Sequence, residues 1–439
     1  MLSIVNDLVV FKIKKLIYRI SYRLAVIIKP FITAIVPPGA RQRVKRMLLK
    51  KAFPIEKKSP SNLHNGLKGV NLLGYVRAEM GIGESCRIAA NNLNAVGVPF
   101  DIVNFTGTNS ARMEDLTWSH KEVATPRYNI NLIHVNAEQM TEIYAHHGNA
   151  LFQNRYTIGY WHWELPDFPD EWLENFDLVD EVWVPSTFVA DSIAAKSPVP
   201  VVKIPHSIEV KISEPRNREY FNLPEDVFLF LAMYDVKSYQ ERKNPKAVIQ
   251  AFKAAFEPND RQVGLVVKVN NFHSNQAEQK VLESLIEDYE NIYLIKETIS
   301  RNDVNALLNV IDCFISLHRS EGFGLGLAEA MYLGKPVIGT NWSSNIDFMN
   351  HTNSCLVNYK LTKIGTDYGP YKAYQLWADP DIQEAAKYMK HLESDKDFYR
   401  RIAEAGQKQI RENFSPEVIG NLIKNRLHYI ELWKFGGRS

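Results

Sequence analysis

Cysteine is scarce in this 439-residue chain: Cys86, Cys313 and Cys355 stand far apart, and no CxxC pair occurs. That excludes a disulfide scaffold, argues against a cysteine-rich metal site and points to a reducing compartment. Long uncharged apolar runs are missing too. Near the amino terminus Lys12, Lys14, Lys15, Arg19, Arg23 and Lys29 interrupt the stretches of Leu, Ile, Val and Phe. A spanning helix needs about 20 mostly apolar residues, so this segment is a poor transmembrane candidate. Its cations run through the apolar region instead of preceding it, which speaks against a cleaved signal peptide. No short internal repeat or low-complexity tract occurs, and no DxD-type metal motif stands at a matching strand end. Asp379-Pro380-Asp381 falls in a late helical region and reads as a helix start.

Charge is what the chain does have, unevenly placed. Met1 to Lys58 holds 14 Lys and Arg against Asp7 and Glu56, a net +12; the remainder holds 38 basic and 48 acidic residues, a net −10. Residues 1–51 therefore read as a basic amphipathic stretch on an anionic membrane surface, with Leu, Ile, Phe and Tyr in the headgroup zone and Lys and Arg on lipid phosphate. The other readings are a helix packed on the protein's own acidic body and an arm for nucleic acid, and the apolar content is too high for the latter. Ser59 to Gly66, with Pro60 and Asn65, reads as a linker.

From Val70 short apolar runs alternate with helical spacing. VNLLGYV, PFDIVNF, NINLIHV, YTIGYW, DEVWVP and VVKIPH form one series of strands, with helices over GIGESCRIAANNLNAVG and Thr187 to Lys196. The pattern restarts with VFLFLAMY, VGLVVKV, NIYLIK, CFISL and KPVIGT, interleaved with helical segments. Such alternation predicts mostly parallel sheets covered on both faces, and the length predicts more than one core. The expected fold class is α/β: a basic extension and linker over 1–65, a Rossmann-like half over 66–210, a second over 211–414, and a helix over 415–439 returning to the first. Ser415 is a plausible cap with Pro416 at the first helical position. A cleft lies between the halves.

HRSEGFGLGLAEAMYLGKPVIGT, His318 to Thr340, places Glu321 and Glu329 on either side of three glycines, after one strand and at the start of a helix. Helix amino termini hold phosphate, glycine permits close approach, and a carboxylate accepts from sugar hydroxyls. The bland alternative is a plain strand-to-helix turn. YDVKSYQERKNP offers Lys237, Arg242 and Lys243 at another strand end; alone, that is more often a solvated turn.

The E-x7-E pattern of EGFGLGLAEAMYLGKPVIGT resembles the retaining glycosyltransferases of family 4, and the resemblance covers most of Val70 to Trp433. GLKGVNLLGYVRAEMGIGE is similar to their amino-terminal glycine-rich loop, and GYWHWELPDFPDEW, VDEVWVPSTFV and VVKIPH resemble a bacterial envelope-polysaccharide branch. The resemblance implies the two-domain GT-B fold, retention at the anomeric carbon, and a GDP-, UDP- or dTDP-sugar donor held mainly by the second domain without metal or other cofactor. It implies that Glu329 grips the ribose, that Glu321 contacts the transferred sugar, and that amides near Phe323, Gly324 and Leu325 face sugar or phosphate. Lys243 matches the family's phosphate-binding lysine. MYD replaces the usual Gly-Arg dipeptide, and Arg242, Lys237 or Ser238 stands in for that arginine. Lys296, Glu297, Thr298 and Ile299 fall where the family packs the base, with Lys268 a second candidate. His162 matches an active-site histidine that bonds the donor sugar or orients the acceptor; His134 is a rival, and His162 beside Trp161 and Trp163 is also readable as a core residue. Gly81, Gly83 and Glu84 shape the acceptor edge, and Arg87 serves an anionic acceptor or is a surface cation.

The expected function is transfer of a hexose-type sugar to a lipid-linked glycan acceptor in envelope polysaccharide synthesis, in the cytoplasm on the inner face of the cell membrane. A sugar-nucleotide epimerase of the same fold and a non-catalytic sugar-binding scaffold are the alternatives.

Overall fold

Two parallel sheets of six strands carry the chain. The computed structural model describes residues 2–28, 31, 35–36, 38–55, 67–107 and 111–436. The expected linker, Ser59 to Gly66, lies outside the described residues. The first sheet contains β1 (Leu67–Gly74), β2 (Phe100–Asn104), β3 (Tyr128–His134), β4 (Tyr156–Tyr160), β5 (Glu181–Val184) and β6 (Val201–Lys203), in the order β2-β1-β3-β4-β5-β6. The second contains β7 (Phe228–Asp235), β8 (Val263–Asn270), β9 (Ile292–Ile295), β10 (Cys313–Ser316), β11 (Val337–Thr340) and β12 (Cys355–Val357), in the order β12-β11-β10-β7-β8-β9. Read from β9, that is the 3-2-1-4-5-6 order of a doubly wound dinucleotide-binding fold, whose ligand crevice lies at the switch between its first and fourth strands, here β7 and β10.

The strands are apolar on both faces because helices cover both. Two asparagines inside the first sheet are paired: Asn71 donates to Tyr128 O at 2.8 Å and to Asn131 Oδ1 at 2.9 Å. One apolar cluster runs through both halves and closes the back of the cleft, with Ile208, Phe323, Phe348, Phe414 and Ile419 all in it. The chain passes between the halves twice at this point, where Ile208 N donates to Phe414 O at 2.7 Å.

The carboxyl-terminal helix Pro416–Lys434 is capped by Ser415, whose side chain accepts from Val418 N, and packs on the helix Gly81–Ala95 of the first half. The approach is close enough that a Cβ on Gly420 would stand 2.6 Å from Asn92 O. Arg426 anchors the same helix to buried Glu181 of β5, Nε to Oε1 at 2.9 Å.

Two features depart from expectation. The late helical region is present as two helices, Ile382–Ser394 and Lys396–Asn413, with Asp395 between them capping the second; the departures lie just before it. Asp381 caps the first, but Asp379 and Pro380 end a strand. That strand, β14 (Leu376–Pro380), pairs antiparallel with β13 (Tyr359–Lys363) in a hairpin that period alone did not announce.

The basic end forms the helices Leu2–Ile27 and Pro38–Ala52, packed on each other, with Arg19 Nε donating to Ala52 O at 3.1 Å. The second docks on the acidic body. Lys45 pairs with Glu142, Arg46 with Glu171 at 3.1 Å, and Lys50 with Glu174. These three cations therefore serve the protein's own surface, which corrects the expectation that all of 1–51 faces lipid. The first helix leaves Leu16, Ile17, Ile20, Leu24 and Ile27 half or more exposed. No helix among the described residues is long and apolar enough to cross a membrane.

Candidate functional site

The turn after β10 and the turn after β7 meet at the switch point. Ser320 and Glu321 follow β10, and Gly324, at φ 96°, caps the helix Leu325–Tyr332, a conformation that favours glycine. The β7 turn places Arg242 and Lys243 between Tyr239 and Asn244, both at positive φ (60° and 54°). Asn244 is pinned by Nδ2 donating to Leu317 O at 3.0 Å, and Arg242 Nη1 donates to Ser320 O at 2.8 Å.

This brings a buried carboxylate and two cations together. Lys243 Nζ stands 2.6 Å from Glu321 Oε1, and Arg242 Nη1 stands 3.4 Å from Oε2. Glu321 N also donates to Ser343 Oγ at 2.9 Å. Burial opposes ionisation of Glu321, but Lys243, Arg242 and His318 outweigh it and hold the carboxyl at about 2. It is ionised at neutral pH and accepts hydrogen bonds only. Arg242 is itself 5% exposed; burial works against its charge, while Tyr371, Glu321 and Glu164 raise its pKa.

Glu329, one helical turn further and also buried, is paired with Arg301. Burial raises its pKa, Arg301 lowers it, and Glu84 raises it again. Arg301 lies 3.9 Å from Glu84 of the first half, so one guanidinium spans the two glutamates across the cleft. Arg301 was missed in the sequence, although it stands only two residues beyond the strip expected to pack a base.

The remaining expected residues divide clearly. Phe323 packs its ring on His206, Phe348 and Phe414, leaving only its backbone to face a ligand, whereas Leu325 is half-buried at the helix start. Ser238 joins the cluster through its carbonyl, which accepts from Arg242 Nη2 at 3.4 Å. Lys237 is exposed and, among the described residues, forms no ion pair with the cluster. Lys296 pairs with Glu283 at 2.8 Å over the Phe272 ring; Glu297 and Thr298 are exposed, and Ile299 packs into the core shared by both halves.

On the opposite wall, His162 abuts the glutamate loop, its Cβ 3.7 Å from where a Gly322 Cβ would stand. Its Nε2 contacts His206 Nε2 at 3.0 Å, while its Nδ1 is buried without a partner. Burial pushes the ring down to about 4. His134 stacks on Tyr160 at 4.3 Å, behind His162, and meets Ser85 Oγ. His206, at the end of VVKIPH, is the partner that strand-end reasoning could have found. Gly83 has no room for a side chain, since a Cβ would lie 2.1 Å from Ala78 O, while Gly81 is open. Arg87 is neither a free surface cation nor an anion site: it donates to Val76 O and Ala78 O and pairs with Glu84 and Asp115.

The hairpin loop closes over this cluster. Tyr371 donates to Glu164 Oε2 at 3.1 Å, Gln375 Nε2 to Asp167 O at 2.9 Å, and Ser320 Oγ donates to Glu164 O. Among the described residues no group of three His, Cys, Asp or Glu has the arrangement to hold a metal ion.

Residues 214–363 match the family model of the glycosyl transferases group 1. No curated relative matches the chain by sequence. Among solved structures, sucrose-phosphate synthase from Thermosynechococcus elongatus is similar at 15% identity and TM-score 0.60, over 83% of this chain and 99% of that one. A glycosyltransferase from Rickettsia africae matches at 14% identity and TM-score 0.59, over 84% and 99%. HepE of Anabaena, solved with UDP and glucose, matches at 15% identity and TM-score 0.58, over 83% and 100%. The chain therefore has the GT-B fold, and its second half carries a glycosyl transferases group 1 region.

Proposed function

We propose that this protein is a metal-independent retaining glycosyltransferase of family 4 that moves a hexose-type sugar from a nucleotide-sugar to a lipid-linked glycan acceptor. The observation that carries the reading is the Glu321–Lys243–Arg242 cluster at the switch point, beside the glycine-capped helix. Departure of a nucleoside diphosphate develops negative charge on its phosphates. Lys243, Arg242 and the amides at Gly324 and Leu325 are fixed where that charge appears, which is the most effective form of transition-state stabilisation. Glu321, held ionised, accepts from hydroxyls of the transferred sugar. Glu329 accepts from the ribose, whose hydroxyls take the place that Arg301 now fills. His162, neutral at pH 7, hydrogen-bonds sugar or acceptor from the first half. The UDP held by the Anabaena neighbour is compatible with this site, and GDP and dTDP share the same phosphate chemistry.

The exposed apolar face of the first helix, with Lys14 and Lys15 beside it, supports attachment to the inner face of the membrane and hence a lipid-linked acceptor in polysaccharide synthesis. Release of nucleoside diphosphate from a UDP-, GDP- or dTDP-sugar panel, with and without a polyprenyl-linked acceptor, is the test. Acceptor-dependent release that survives EDTA is expected. Conversion of the donor sugar without transfer would identify an epimerase, absence of any release a binding scaffold, and EDTA inhibition rescued by magnesium a metal-dependent reaction.

A further inference from the structure

Lys268 is the only lysine among the described residues that is buried, at 2% exposure. It stands in β8 directly beside Met233 of β7 and Ile295 of β9, so all three side chains leave the sheet on one face. That face carries the core formed with Val266, Ala306, Leu307, Leu327 and Ala328, from the helices that hold Arg301 and Glu329. Met233 Cε reaches to 3.8 Å from where a Gly326 Cβ would stand. Lys268 therefore rises two residues short of the strand end, beneath the glycine turn and next to the strip that begins at Lys296.

Its surroundings leave the ammonium incompletely received. Nζ bonds Asn270 Oδ1, and among the described residues it forms no salt bridge, Asp235 and Glu297 favouring its charge only from beyond ion-pair distance. Asp235, the acid nearest in chain order on the adjacent strand, is already engaged by Asn271 Nδ2 at 2.9 and 3.0 Å and by Lys237 N at 2.8 Å. A buried ammonium has three donors to satisfy and stays costly until acceptors or an anion receive it.

Resting on the donor-site reading above, we propose that Lys268 is a nucleotide-binding residue, whose ammonium takes an acceptor oxygen of the donor from the floor of the pocket. Two sources offer that oxygen: a keto group of the base, or the phosphate nearest the ribose.

Calorimetry of the full chain with UDP, GDP and dTDP, and with the matching nucleosides, tests this. Lys268→Met keeps length and apolar fit, and Lys268→Gln keeps a donor without charge. Both should bind the preferred diphosphate at least tenfold more weakly, with a melting temperature no lower than the parent's. A loss shared by the nucleoside assigns the base oxygen, and a loss confined to the diphosphate assigns the phosphate. Lys243→Ala separates the two levels of argument. If it weakens binding while both Lys268 variants bind as the parent does, Lys268 is only a buried lysine and the inference falls. If none of the three weakens binding, the donor-site reading itself is wrong.

Discussion

Single residues at this site owe their chemistry to neighbours that are remote in sequence. Glu321 is held ionised by Lys243 and Arg242, 78 and 79 positions away, and Glu329 is paired with an arginine 28 positions away while burial raises its pKa. Removing one partner should be costly, because it strands the other's charge in a buried site. Lys243→Ala and Glu329→Ala should each weaken nucleotide binding by about 1.5 to 3 kcal/mol, the range for hydrogen bonds to charged groups. Unchanged calorimetric affinity in both folded variants would refute the assignment. The histidines make a separate prediction. Burial lowers His134, His162 and His206 below the ordinary imidazole range, so the unfolded chain takes up protons that the folded one refuses. Stability is then complete above about pH 6.5 and falls as pH drops towards 4, at about 1.4 kcal/mol per pH unit for each histidine. The carboxyl of Glu321, lowered to about 2, adds its own loss only below about pH 4.5. Melting temperatures should decline between pH 7 and 5; a flat profile there would contradict the burial of neutral rings.

At the scale of elements, the hairpin β13–β14 ties the two halves together beside the site. Its loop reaches from the second half to Glu164 and Asp167 of the first, and Tyr371 stacks edge-on against Tyr239 at 5.3 Å. Tyr239 sits at φ 60° immediately before the cation-bearing turn, so the loop holds a strained residue in place. Gly369, at φ 55°, is where this hold is tightest, since a Cβ would come within 1.9 Å of the Tyr239 hydroxyl. Gly369→Ala should cost about 1 to 2 kcal/mol of stability through the left-handed backbone and the clash. It should also lower nucleotide affinity several-fold by displacing Arg242 and Lys243. A lowered melting temperature with unaltered affinity would show that the loop closes the fold without setting the cations.

For the whole molecule, the charge asymmetry resolves into two helices with different tasks. Pro38–Ala52 spends Lys45, Arg46 and Lys50 on the acidic body, and Leu2–Ile27 presents the apolar face. A variant beginning near Asn65 should keep nucleotide binding, because both sheets begin after that point, and should lose sedimentation with anionic liposomes. Replacing Leu16, Ile17, Ile20 and Leu24 with serine should abolish binding more completely than replacing Lys45, Arg46 and Lys50 with glutamine. Salt should weaken liposome binding without eliminating it, since the apolar contribution is unscreened. Equal liposome binding by the truncated and full-length chains would return the segment to the role of a packed helix.

Local pattern determined a large part of this protein. Alternation of apolar runs with helical spacing fixed eleven of the twelve parallel strands and their grouping, all but the short β12, because backbone hydrogen bonding and two-sided burial leave a sheet strand few other compositions. The glycine turn with Glu321 and Glu329, the cap at Ser415 and the RKNP turn were legible for the same reason: each is a short-range requirement of the chain. What the fold alone decided is which charges meet. Arg301 spans Glu84 and Glu329, Arg87 is consumed by the loop beneath it, His206 backs His162, and three cations of the basic end turn inward. Nothing in sequence spacing encodes these pairings, because the partners are brought together by the packing of one sheet's helices against the other's, and burial then sets their ionisation.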